Sequence, residues 1–107
     1  MIRANMAGTS LATPTYVAGT TYGGSTATLT DTASKGRYIV TTYNGSGDGS
    51  ESTVTVTIDG NPVTVNKIGH TNALTSWYFD AEGAGALSVV CTAPSPQISI
   101  ADLIKIS

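Results

Sequence analysis

The residues able to carry chemistry are few and far apart. His70 is the single histidine, within Gly69-His70-Thr71-Asn72, and Cys91 is the single cysteine. Together they would form the smallest nucleophilic pair, a thiolate activated by an imidazole. That chemistry needs a thiol of lowered pKa. Cys91 instead falls in step with Leu87 and Val89, on the inward side of an expected strand, where a thiol is a small hydrophobe. A lone histidine also lacks the companion ligands that zinc takes. The carboxylates Asp31, Asp48, Glu51, Asp59, Asp80, Glu82 and Asp102 fall mainly at turns and strand ends, so no acid–base dyad stands out. Residues 44–51, NGSGDGSE, space oxygen donors three or four apart. Calcium takes about six to eight oxygens, commonly from several carboxylates. Asp48 and Glu51 among glycines read as a flexible hairpin loop instead. No GxGxxG, Walker or GxSxG motif occurs. The expectation is a chain without catalytic or metal-binding residues and without a cofactor.

Aromatic side chains are the remaining candidates. In Trp77-Tyr78-Phe79, strand alternation sends Trp77 and Phe79 to one face and Tyr78 to the other. One reading buries Trp77 and Phe79 and leaves Tyr78 at the surface. The other sets Trp77 or Tyr78 beside Tyr43, as a platform for a sugar ring or an anchor in a subunit interface. Residues 1–25 show neither helical nor strand period, and Pro14 and Gly23-Gly24 suggest an extended arm. Such an arm either frays or orders along a neighbouring subunit, with Leu11, Tyr16, Val17 and Tyr22 as anchors.

These candidates must be positioned by strands. Residues 52–68, STVTVTIDGNPVTVNKI, alternate apolar and hydroxyl side chains, the period of a half-buried strand. Asp59-Gly60-Asn61 tolerates positive φ and turns the chain into a hairpin. Pro62 lacks an N–H and so belongs at a strand start or on an edge. Seven strands are expected, over 27–31, 36–43, 52–58, 63–68, 75–80, 86–92 and 97–107, with turn residues between them. Ile98, Ile100, Ile104 and Ile106 share one parity in the last of these, and Asp102 is expected to mark a bulge or a change of face. The fold class is all-β: a single antiparallel β-sandwich, jelly-roll-like, over 26–107, with the arm at 1–25.

Bulk properties exclude further classes. A chain of 107 residues supports one domain. Net charge is −2, and Arg3, Lys35, Arg37, Lys67 and Lys105 form no stripe, so nucleic acid is not an expected partner. No apolar run approaches the length of a membrane span, and no signal-peptide pattern opens the chain, so synthesis in a cytoplasm is expected. One cysteine permits no intrachain disulfide. Charged residues are only 11% of the chain, against about a quarter in ordinary domains. Hydroxyls and glycines replace them, which fits a surface covered by neighbours, a protein of harsh extracellular conditions, or a neutral β-domain whose strands simply favour Thr.

The stretches GRYIVTTY, STVTVTIDGNPV and SWYFDAEGAGALSVVCTAPSPQISIADLIKI, taken in order, resemble small jelly-roll proteins of tailed-bacteriophage virions: head-decoration proteins, head fibres and tail-associated modules. The aromatic strand at Trp77-Tyr78-Phe79, the small-residue turn after it and the isoleucine-rich final strand carry the likeness, which spans about 36–107. It implies a structural virion protein: an accessory subunit on the particle surface, partnered by other capsid or tail proteins and by copies of itself, possible trimers included. GRYIV followed by TVTVTIDG is also similar to galactose-binding-like modules, with Asp48, Glu51 and Trp77 as loose matches. That likeness implies a host glycan as the alternative ligand.

Overall fold

The computed structural model describes residues 12–20, 24–45, 50–94 and 99–107. Through them run nine strands: β1 (Thr15–Gly19), β2 (Thr26–Ala33), β3 (Gly36–Asn44), β4 (Thr53–Ile58), β5 (Asn61–Val63), β6 (Asn66–Thr71), β7 (Leu74–Ala81), β8 (Gly85–Thr92) and β9 (Ser99–Lys105). Antiparallel pairing is nested: β1 with β9, β2 with β8, β3 with β7, β4 with β5. The chain is thus one long hairpin whose successive strand pairs fall alternately in two sheets. β9 pairs also with β3, and β8 with β4, closing the sheets as β1-β9-β3-β7-β6 and β2-β8-β4-β5. This is jelly-roll connectivity in an antiparallel β-sandwich, with β6 added beside β7.

Period-two runs explain the core. Tyr38, Val40 and Thr42 of β3 point inward, as do Thr75, Trp77 and Phe79 of β7 and Leu87, Val89 and Cys91 of β8. Tyr38 and Phe79 lie opposite each other across β3 and β7, and their rings stack at 5.1 Å between centroids. The Tyr38 hydroxyl is satisfied locally, taking the Ser34 N–H and donating to the Ser34 carbonyl. Where β3 ends and β9 begins, the inward positions turn polar. Thr42, Thr75 and Ser99 are buried there, and their hydroxyls have no partner among the described residues. Burying such groups is costly, so this end contributes less to stability than the end built on Tyr38 and Phe79.

The expected hairpin is present as a two-residue turn. Asp59 and Gly60 both take positive φ, 52° and 80°, between the paired residues Ile58 and Asn61. That is a type I′ turn, whose twist matches the strands. The Asp59 carboxylate also accepts the Ala86 N–H at 2.8 Å, while the Asp59 N–H donates to the Ala86 carbonyl at 2.9 Å, pinning the turn to β8. Pro62 lies in β5, an edge strand, where its missing N–H breaks no ladder.

Three expectations require correction. Residues 15–19 form β1, paired with β9, although the sequence reading begins its strands at Ala27. A register shift between Tyr16 and Ala18 lets Val17 and Ala18 both pack on the core. Residues 63–68 are not one strand: the chain leaves β5 at Val63 and enters the other sheet at Asn66. Finally, Asp102 breaks nothing in β9, which pairs with β3 without interruption from Ser99 to Lys105. Ala101 and Leu103 supply the buried face, so the isoleucine parity is the outer one.

Candidate functional site: the outer face of the five-stranded sheet

Because Tyr38, Val40, Trp77, Phe79, Ala101 and Leu103 face inward, the alternate residues of β3, β7 and β9 form the outer face of their sheet. The registers arrange it in rows running across the strands. One row is Tyr16, Ile104, Ile39, Tyr78 and Asn66; the next is Gly19, Asp102, Thr41, Ser76 and Gly69; the third is Ile100, Tyr43, Leu74 and Thr71. A polar row is therefore held between two apolar ones. Beyond the first row, Arg37 pairs with Asp80. Its guanidinium forks onto the carboxylate at 2.7 and 2.9 Å and lies 4.3 Å over the Tyr78 ring.

At the other side of this face the rows border a groove of about 400 Å³, lined by Tyr16, Gly19, Thr41, Tyr43, Leu74, Ile100 and Asp102. Tyr16 is 66% exposed, Leu74 51% and Tyr43 42%, high values for large apolar side chains. A Cβ on Gly19 would stand 2.7 Å from the Tyr16 hydroxyl and 3.2 Å from Asp102 Oδ1, so glycine is what lets these two groups converge. Thr41, which lines the groove, bonds to Ser76 beside it at 3.1 Å. The Asp102 carboxylate makes no hydrogen bond or ion pair with a described residue. The arrangement suits non-covalent recognition: two phenol rings, an aliphatic rim, and one carboxylate between them.

Among the sequence-predicted contacts, Tyr16 and Tyr43 meet at this groove and Tyr78 lies on the same face beneath Arg37. Trp77 is on the opposite side of β7, 8% exposed and part of the core, so it presents no platform. Leu11 and Tyr22 lie outside the described residues, as does Asp48. Asp102, Leu74 and Ile100 are the groove residues that sequence reasoning did not single out. The shared parity of Asp102 with Ile100 and Ile104 was the available signal.

Other candidate groups are placed apart from this face. A depression of about 540 Å³ beside the β4–β5 turn is lined by Asp59, Asp80, Glu82 and Pro62. Asp59 and Asp80 there are already committed to the Ala86 amide and to Arg37. His70 stands on the exposed edge strand β6, 3.8 Å from Glu51, which Lys67 contacts at 2.7 Å. Among the described residues no group of three or more His, Cys, Asp or Glu could hold a metal ion.

Cys91 is fully enclosed in β8, and burial pushes its thiol up to about 12. A thiol reagent at pH 8 is therefore expected to leave the native chain unmodified and to label it at once in denaturant. Labelling of the folded chain at the rate of a free thiol would contradict the enclosure.

The hydrogen bond from Arg37 holds the Asp80 carboxyl below its ordinary range, and that from Lys67 does the same for Glu51. Groups of depressed folded-state pKa contribute stability above the unfolded carboxylate value of about 4, and lose it as pH falls through the folded value. Both pairs are exposed, so the contribution is small. The paired variant Asp80→Asn with Glu51→Gln is expected to show a shallower loss of thermal stability between about pH 5 and pH 2 than the natural chain. Identical acid profiles for the two would contradict it.

Comparison with family models, with curated proteins and with solved structures returns no match. The fold and this face therefore carry the functional reading.

Proposed function

We propose that this chain is a structural subunit of a tailed-phage virion, an accessory β-sandwich on the particle surface that binds its neighbours through the outer face of the five-stranded sheet. The supporting observation is that face itself. Tyr16, Tyr43 and Leu74 stand exposed, Ile39, Ile100 and Ile104 lie half-buried between them, and the Arg37–Asp80 ion pair is at the margin. Protein interfaces have this anatomy, with aromatic and aliphatic centres depleted of charge and polar rims. The low charge of the whole chain is in keeping with a surface covered on assembly. Partners on this reading are capsid or tail subunits and copies of the chain itself, a trimer included. Docking buries the aromatic rows, and hydroxyls of the middle row fix the register. Edge strands β1 and β6 offer unpaired backbone groups for strand addition.

Light scattering over a concentration series tests this reading. A discrete oligomer of the 10.9 kDa chain is expected. A monomer at every concentration would contradict self-association. A second reading, a host-glycan-binding module, is favoured by one observation: two tyrosines flank a groove of sugar size with the Thr41 hydroxyl in its lining. Because Trp77 is buried, a sugar titration must follow the resonances of Tyr16 and Tyr43 rather than tryptophan fluorescence.

A further inference from the structure

One end of the outer face holds a complete arrangement whose counterpart at the other end is incomplete. Arg37 lies over Tyr78 and forks onto Asp80, an arginine held at once by a phenol ring and a carboxylate. In the groove, Tyr16, Tyr43 and Asp102 repeat the ring and the carboxylate, with no arginine supplied by any described residue. The Tyr16 hydroxyl and Asp102 Oδ1 approach a common point above Gly19, and Tyr43 stands diagonally across from Asp102, next to Thr41. Among the described residues, the groove thus presents one carboxylate, Asp102, without a cationic partner, between aromatic faces. A planar guanidinium suits both features, since it stacks on rings and donates paired hydrogen bonds to a carboxylate. A lysine ammonium pairs with the charge but cannot fork or stack, and a neutral sugar leaves the charge unmatched.

We propose that the Tyr16–Tyr43–Asp102 groove receives an arginine side chain from a partner protein. This deepens the docking reading of the same face and rests on it: docking inserts the partner's arginine between the two tyrosines, and its guanidinium takes the place at Asp102 that Arg37 takes at Asp80. The net charge of the chain, −2, complements a basic partner segment.

The test is an NMR titration of the isotope-labelled full chain with three short peptides at matched ionic strength, alike except for one central residue: arginine, lysine or citrulline. The arginine peptide is expected to shift the amides of Thr41, Tyr43, Ile100 and Asp102, with the lysine peptide weaker and the citrulline peptide silent. Asp102→Asn should weaken arginine binding by about tenfold or more, the effect of removing a charge-assisted pair. Tyr43→Ala should weaken it by a smaller factor. Equal binding of citrulline and arginine peptides, or an Asp102→Asn chain that binds as the natural one does, would overturn the proposal. So would a free hexose that shifts these amides while the arginine peptide does not. A chain that assembles through this face but ignores the arginine peptide overturns the guanidinium assignment alone. One that binds the peptide yet never associates supports the assignment and counts against docking.

Discussion

Phe79→Ala is expected to cost about 3–5 kcal/mol, the range for deleting a large buried aromatic side chain. Phe79 is wholly inside, stacked on Tyr38, with Val40 and Trp77 on the neighbouring inward positions. The surrounding strands belong to two sheets locked by nested pairing, so they cannot collapse far into the space left behind. Domains of this kind have a total stability of about 5–15 kcal/mol. The variant therefore loses a large share of it and shows a substantial unfolded fraction in mild denaturant. Tyr78→Ala, one residue away on the other face of β7, is the control and should cost about 1 kcal/mol, as a half-exposed substitution does. Denaturant titration of both variants measures the contrast. Equal losses for the two would mean that the assignment of inner and outer faces in β7 is wrong.

The second large effect is expected on association rather than on folding. Leu74→Glu combined with Tyr43→Glu places two charges in adjacent positions of the third row, since Leu74 and Tyr43 are opposite each other across β7 and β3. Both are exposed, so the folded chain accommodates the charges with little loss of stability. In a docked state the same charges are desolvated against apolar surface without partners, which truncation and charge-burial experiments on interfaces associate with losses of several kcal/mol. Self-association is expected to weaken by about a hundredfold or more, equivalent to about 2.7 kcal/mol. A double variant that unfolds at the same denaturant concentration as the natural chain and keeps its oligomeric mass would show that assembly uses another surface.

Both variants depend on which face each strand turns inward, and the sequence reveals this unevenly. In β8 the inward Leu87, Val89 and Cys91 alternate with Ser88 and Thr92 and only Val90 departs from the pattern, whereas β3 and β7 are mixed, since Ile39, Tyr43, Leu74 and Tyr78 face outward while Thr42 and Thr75 face inward. In β9 both parities are apolar. The isoleucines face outward and the buried positions are taken by Ala101 and Leu103, a choice set by the pairing of β9 between β1 and β3. Hydrophobicity alone could not decide that strand. β1 was illegible for a different reason. Thr15, Tyr16 and Val17 favour strands, but the register shift turns both Val17 and Ala18 inward, so no alternating period marks the element, and its partner β9 lies far along the chain. Val63 and Val65 keep one parity across the sheet-to-sheet crossing, and both pack at the core margin, so the break between β5 and β6 left no mark in the pattern.

The groove follows the same logic. Tyr16 and Tyr43 are each visible as aromatic residues at expected surface positions, but their meeting depends on β9 being placed between β1 and β3. That placement also brings Asp102 between them, and it is set by nested pairing over the whole chain rather than by any local motif. Trp77 shows the converse: the most conspicuous aromatic residue of the sequence belongs to the core, and its modest neighbours on the other parity form the surface.

Hydroxyl-radical footprinting of the chain above and below its association concentration tests the central claim most directly. The account predicts that Tyr16, Tyr43 and Leu74 lose reactivity together on assembly, while exposed residues of the four-stranded sheet, such as Thr28 and Thr55, keep theirs. Protection confined to the four-stranded sheet, with Tyr16 and Tyr43 as reactive in the oligomer as in the monomer, would contradict it.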